Sequence, residues 1–122
     1  MKTDDPPLRI GIVGPCTAGK TTLIQQLKEN GIEARHIAQE HSYVQNMWLR
    51  LTNPDILVFL DVSFSLSLIR RNINWNLDEY MEQQRRLAHA RAHASLYLMT
   101  DPMTPEEVAQ AVIDFIAAQR NA

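Results

Sequence analysis

Leu8-Arg9-Ile10-Gly11-Ile12-Val13-Gly14-Pro15-Cys16-Thr17-Ala18-Gly19-Lys20-Thr21-Thr22 is the stretch that decides the fold. Residues 8 to 13 are short, apolar and β-branched and run into glycine, which predicts a buried strand ending in a turn. From Lys20 to Asn30, Leu23, Ile24 and Leu27 fall on one helical face, and Gly31 stands where the residue just past a helix end belongs. A strand, a glycine-bounded loop and a helix therefore open the chain.

Working outward, Ala34 to Ala38 predicts a short second strand. Ser42-Tyr43-Val44-Gln45 has capping-box spacing, and Val44, Met47, Trp48 and Leu51 repeat as an apolar stripe until Asn53-Pro54 stops the helix. Ile56 to Leu60 is continuous apolar sequence between Asp55 and Asp61, the pattern of a strand covered on both faces of a parallel sheet. Ser65 to Arg71 predicts one or two helical turns. Asn76 with Glu79 predicts a cap for one longer helix over 77 to 94, and Leu96 to Met99 a brief strand. Thr104-Pro105-Glu106-Glu107 combines an N-cap, a proline at the first helical position and a glutamate at the third, ahead of Val108, Val112, Phe115 and Ile116. Strands alternating with helices predict an α/β fold of three layers, with a mostly parallel sheet of four or five strands flanked by helices.

The chain has 122 residues, 45% hydrophobic and 21% charged, which is room for one domain. Residues 1 to 7 read as a loose polar arm and residues 8 to 122 as the domain, without repeat or linker. Its 12 Lys and Arg against 14 Asp and Glu leave a net charge of -2, so nucleic acid is not the expected partner. The single cysteine, Cys16, excludes an internal disulfide and fits a reducing cytoplasm. No apolar run is long enough to span a membrane, and the start lacks an apolar signal-peptide core. The expectation is a cytoplasmic protein.

Gly14-Pro15-Cys16-Thr17-Ala18-Gly19-Lys20-Thr21 fits G-x-x-x-x-G-K-[ST] at every fixed position, between a predicted strand and a predicted helix. Glycines at these points let the backbone curl until successive N–H groups point at phosphate oxygens, with the positive end of the helix behind them. Lys20 supplies a mobile point charge for the β and γ phosphates, and the Thr21 hydroxyl a ligand for Mg²⁺. A glycine turn that binds only sulfate is the bland alternative.

On Gly14, Gly19, Lys20 and Thr21 the sequence resembles the P-loop NTPase superfamily. The resemblance implies a nucleoside triphosphate bound by Gly14, Pro15, Cys16, Thr17, Ala18, Gly19, Lys20, Thr21 and Thr22, with Mg²⁺. It also implies an acidic residue after a strand, oriented on the metal. Asp61, after Ile56 to Leu60, is the expected one. Gln39 or Glu40 takes that place if the second strand neighbours the first, and Asp61 then only caps the turn after its strand.

Ile56 to Ser63 followed by Leu68-Ile69-Arg70-Arg71, together with Leu96 to Asp101 and the helix after Thr104, looks like the late strands, arginine-bearing helix and adenine-side loop of shikimate-kinase-like and adenylate-kinase-like enzymes. That likeness favours ATP over GTP and implies a kinase-like phosphotransferase acting on an unidentified small-molecule acceptor. Lys20, Asp61, Arg70, Arg71 and Glu40 are the expected catalytic set, with Thr21 and Asp61 at the metal. Arg70, Arg71, Arg85, Arg86 and Arg91 form the one basic region, from which an arginine could stabilise charge on a transferring phosphoryl group. A solvated helix face is the alternative for each of them.

The chain also departs from the kinase pattern. Too little sequence separates Ala38 from Ile56 for the usual substrate-binding helices and intervening strand, and no Asp-x-Asp or Asp-x-Arg pair lies near positions 33 to 41. Glu33, His36, Glu40 and His41 are the candidate acceptor bases, Glu40 first. Two other readings stay open. One is a GTPase-like or ATPase-like switch with Gln39 orienting water, although Asn-Lys-x-Asp is absent. The other is a non-catalytic nucleotide-binding module. A domain this small could complete its site across a homodimer.

His89 and His93, at i and i+4, read as surface histidines in preference to a metal pair. Trp48 belongs to the apolar stripe, whereas Trp75, in a polar loop, is expected as an exposed lid or oligomer contact. Cys16 inside the loop is a place where oxidation could block binding.

Overall fold

In the computed structural model, residues 8–71 and 75–121 are described; the expected arm over 1–7 and the side chain of Arg71 lie outside them. Four strands, β1 (Ile10–Val13), β2 (Arg35–His36), β3 (Ile56–Asp61) and β4 (Leu96–Met99), form one sheet in the order β2-β1-β3-β4. Every pairing is parallel. The strand that leads into the glycine loop is thus central, with Ile12 paired to His36 on one side and Val58 on the other. All six residues of β3 are buried, as its unbroken apolar sequence predicts. β2 shrinks to two exposed residues, and no further strand stands between it and β1.

Helices cover both faces of the sheet. On one, Leu23 and Leu27 of α1 (Lys20–Glu29) and Val108, Val112 and Ile116 of α6 (Pro105–Arg120) pack on Ile10, Ile12, Val58 and Leu60. On the other, Trp48 of α2 (Met47–Leu51) and Leu87 and Ala90, from the helical segment over 77–93, pack on Val13, Leu57 and Phe59. Period-2 alternation along β1 and β3 sends successive side chains to these two cores. The α/β layered architecture expected from the sequence is present, with four strands among the described residues.

Caps fall where the residues predict them. Gly31 adopts φ +76° after α1, and the N–H groups of Gly31 and Ile32 close on the carbonyls of Lys28 and Leu27. Thr104 and Glu107 form a reciprocal capping box at α6, and Asn76 and Glu79 another at α4 (Leu77–Arg86). The helix over Phe64–Arg71 is α3.

Two expected helices change shape. The single helix over 77 to 94 divides into α4 and α5 (Ala88–His93). The side chain of Gln45 enters its hydrogen-bond ladder, Nε2 donating to the Arg85 carbonyl at 2.9 Å and Oε1 accepting from the His89 N–H at 3.2 Å. An amide thus replaces one i→i+4 bond, a recognised cause of a helix break. For the same reason Gln45 does not serve a capping box with Ser42. The expected helix there reduces to the five residues of α2, leaving Val44 38% and Leu51 74% exposed while Trp48 is buried.

The loop after β1 lies directly on β3. A Cβ added to Gly14, at φ +153°, would sit 2.0 Å from the Leu60 carbonyl oxygen, whereas one added to Gly11 would meet chiefly the mobile Ile37 Cδ1 at 2.5 Å. Gly14→Ala is expected to lower stability by more than about 2 kcal/mol and Gly11→Ala by about 1 kcal/mol. Urea unfolding checks the order; a Gly14→Ala midpoint equal to wild type would refute the close seat of the loop on β3.

Candidate functional site

The Gly14–Lys20 loop turns by left-handed residues. Thr17 has φ +71° and Gly19 φ +98°, with one internal hydrogen bond from the Ala18 N–H to the Pro15 carbonyl at 3.2 Å. A β-branched threonine in this conformation holds about 1–3 kcal/mol of strain. Left-handed turns of this kind can aim N–H groups at an anion, although here the Cys16 N–H is taken by Gln83 Oε1 and the Ala18 N–H by the Pro15 carbonyl. No side chain caps α1, and the first N–H to find a carbonyl one turn back is that of Leu23, on Gly19 at 3.0 Å. The N–H groups before it are left directed at the loop opening. Thr21 and Thr22 are exposed, and the buried Thr17 Oγ1 has no hydrogen-bond partner.

Of the lysines among the described residues, Lys20 alone is buried. Its ammonium donates to the carbonyls of Gly14 at 2.6 Å and Pro15 at 3.1 Å and to Glu40 Oε2 at 2.9 Å. Glu40 sits in the 3₁₀ turn Gln39–His41 that follows β2, with its side chain 4% exposed. The parallel pairing of β2 with β1 is what brings this turn beside the loop. Oε1 of the same carboxylate has no partner. His36, on β2, has its imidazole pKa held below the usual 6.5, first by burial and then by the Lys20 ammonium, so it is mainly neutral at neutral pH.

Asp61 has a different environment. Its Oδ1 accepts from the Val62 N–H at 2.9 Å and Gln84 Nε2 at 3.0 Å, and its Oδ2 from the Tyr97 hydroxyl at 2.5 Å and Arg91 at 3.3 Å. Four donors fill the four lone-pair positions of a carboxylate. The Tyr97 hydroxyl is pushed up to about 12, by burial first and then by its bond to Asp61. Asp61, the residue expected at a metal beside the loop, thus has protein donors on both of its oxygens. Asp61 points, with Leu57 and Phe59, to the α4–α5 face and ties β3, β4 and that helical layer together. The acidic residue in contact with Lys20 is Glu40.

Gln39 is likewise consumed. Its amide donates to the carbonyls of Val44 and Arg86 and accepts from the Trp48 N–H, so both amide hydrogens and one oxygen lone pair are engaged within the fold. Arg70 donates to the carbonyls of Thr17 and Thr100 and to the Thr100 hydroxyl, bracing the loop from outside. Arg85 and Arg86 pair with Glu82, and Arg86 also reaches the Glu40 carbonyl at 3.3 Å. Of the arginine group, Arg70 and Arg86 thus border the loop. His89 accepts from Trp48 Nε1 at 3.0 Å and its ring lies 4.2 Å from that of His93, a packed pair. Trp75 is half-buried on Tyr80 and donates to Ser67, so it is no exposed lid.

Gln83 was not a candidate from sequence. Its Oε1 accepts from the Cys16 N–H at 2.9 Å, and its Nε2 donates to Cys16 Sγ at 3.1 Å. The available signal was positional, because Tyr80, Gln83, Gln84, Leu87 and Arg91 follow helical spacing along one face. Polar residues on an inward stripe require partners.

A cavity of about 400 Å³ opens beside the loop, lined by Thr17, Gly19, Leu23, Arg70, Met103 and Val108 among others. A wider groove of about 1000 Å³ lies at the opposite end of the sheet, bordered by Arg9, Lys28, Arg35 and Arg120. In open α/β sheets ligands bind at the carboxyl ends of the strands, and the smaller cavity is at that end. Among the described residues, no helix is long and apolar enough to cross a membrane. Comparison of the chain with protein-family models, with curated proteins and with solved structures finds no match.

Lys20→Met leaves the Glu40 carboxylate buried without its cation and is expected to cost about 3–5 kcal/mol, most of which Lys20→Met/Glu40→Gln recovers. Guanidinium unfolding of the two variants tests the pair. Equal stabilities would mean that the ion pair is not the buried unit described.

Proposed function

We propose that this protein binds a Mg²⁺–nucleoside triphosphate, ATP in preference to GTP, on the Gly14–Thr22 segment, and that it is a kinase-like phosphotransferase of the P-loop type. The observation that carries the reading is the Lys20 ammonium, buried against two loop carbonyls and Glu40 at the foot of an uncapped helix N-terminus. A buried cation beside an uncapped helix N-terminus matches a polyphosphate in charge and in donor geometry. The unpartnered Thr17 Oγ1 and the exposed Thr21 and Thr22 are further donors at the same opening.

In this reading the loop N–H groups and Lys20 bind the phosphates and hold the transferring group in line. Phosphoryl transfer is mainly a matter of positioning and charge stabilisation, so little else is asked of the protein. Mg²⁺ would be held by Thr21 and would neutralise phosphate charge; Glu40 can serve either as its carboxylate ligand or as the acceptor base, not as both. When the Lys20 ammonium turns from Glu40 to a phosphate oxygen, it frees a carboxylate that can accept a proton. Glu40 and the neutral imidazole of His36 are the two candidate bases on that side. The adenine ring of the nucleotide would lie in the 400 Å³ cavity between Arg70 and the apolar Leu23, Met103 and Val108. The engagement of Gln39 within the fold speaks against a water-orienting glutamine at that position.

Titration calorimetry of ATP and GTP with Mg²⁺ tests the proposal. Wild type is expected to favour ATP, and Lys20→Met/Glu40→Gln to weaken it at least about tenfold, 1.4 kcal/mol. Thr21→Ala should lose the Mg²⁺ dependence. A GTP preference, or ATP affinity unchanged in the double variant, would overturn the assignment. ATP binding without ADP formation across an acceptor screen would leave a binding module and remove the phosphotransferase.

A further inference from the structure

Cys16, Glu40 and His41 come together only in the folded chain. One ligand atom from each, the thiol sulfur, a carboxylate oxygen and an imidazole nitrogen, all lie within 4.8 Å of one another. In a tetrahedral zinc site, bonds of about 2.0–2.3 Å place such atoms roughly 3.5 Å apart, so the three stand close to ligating separation. His41 is 60% exposed, with its Nε2 3.8 Å from Glu40 Oε2, while Glu40 is 4% exposed and held at that same oxygen by Lys20. Independently of this proximity, Glu40 Oε1 is buried with no hydrogen-bond partner. A buried carboxylate oxygen left unpaired is costly, and a cation removes the cost.

The geometry points to a divalent-cation site of zinc type made by Cys16 Sγ, the Glu40 carboxylate and His41, with a fourth position open to solvent beside the loop. A Cys, His and carboxylate set with one open position suits a borderline-soft cation and not Mg²⁺, which takes oxygen ligands. Gln83 is a positioning residue: its amide grips both the N–H and the Sγ of Cys16 and sets the direction of the sulfur. Lys20 stays on Oε2, opposite the free oxygen. Binding converts the thiol and the cation to a metal thiolate and one released proton, so net charge at the loop rises by one. The other histidine pair, His89 and His93, has no thiol in its vicinity and each Nδ1 is already engaged.

The site stands on its own atoms and does not depend on nucleotide binding, so it is tested without nucleotide. Co²⁺ is titrated into the full chain and followed by absorption. Wild type is expected to show a sulfur-to-cobalt charge-transfer band and four-coordinate d–d bands at one equivalent, both erased by Zn²⁺. Cys16→Ser should lose the charge-transfer band, and His41→Ala should weaken binding at least about tenfold. Cys16→Ser is nearly isosteric and His41 is exposed, so both variants should fold, which circular dichroism checks. No sulfur band in wild type at saturating Co²⁺ overturns the proposal. Equal affinity in wild type and His41→Ala does so too, as does a spectrum unaltered by Cys16→Ser, which would assign the cation elsewhere.

Discussion

The buried contact of Lys20 with Glu40 is the constraint around which the loop end of this protein is arranged. Two charges removed from water are tolerated only when each is met by the other and by further hydrogen bonds. The ammonium satisfies this with two loop carbonyls, which hold the loop curled over its own lysine. The carboxylate satisfies it only on one oxygen. The pair also joins the end of the loop after β1 to the turn after β2, elements that the sheet sets side by side but whose short second strand could not hold them alone.

A second network supports the first from the other side. Asp61 accepts from Val62, Gln84, Arg91 and Tyr97, binding the end of β3 to β4 and to the α4–α5 layer. Gln39, Gln45, Gln83 and Gln84 each place both ends of an amide, or one end twice, on groups of other segments or turns. An amide carries a donor and an acceptor on one short arm, so it can bridge backbone groups that helices and strands leave open. Gln45 does this at the cost of a continuous helix, and Gln83 does it at the loop itself. The small chain thereby fixes its irregular segments with side-chain amides in place of additional secondary structure.

These two networks explain why carboxylates with similar sequence settings behave differently. Asp61 ends, and Glu40 follows, a strand that flanks β1. Asp61 ends its strand on the face covered by α4 and α5, where four donors await it. Glu40 stands on a 3₁₀ turn that swings it to the loop, where Lys20 meets one oxygen only. Alternation of side chains along a strand decides the first case and the turn geometry the second.

Strong local signals in the sequence determined the order of strands and helices: the unbroken apolar run Ile56 to Leu60, the cap pairs Thr104 with Glu107 and Asn76 with Glu79, and Gly31 behind α1. They also placed the Gly14–Thr21 loop between a strand and a helix, because glycine conformation and helix capping act within a few residues. Tertiary structure alone decided which carboxylate meets Lys20, that Asp61 is saturated, that Gln45 breaks the helix after Arg86, and that Gln83 and His41 approach Cys16. Each of these joins residues distant along the chain or depends on which way a side chain leaves a turn. Periodicity reports which face is buried and not which polar partner waits there, and only the packed sheet and helices bring those partners within hydrogen-bond reach.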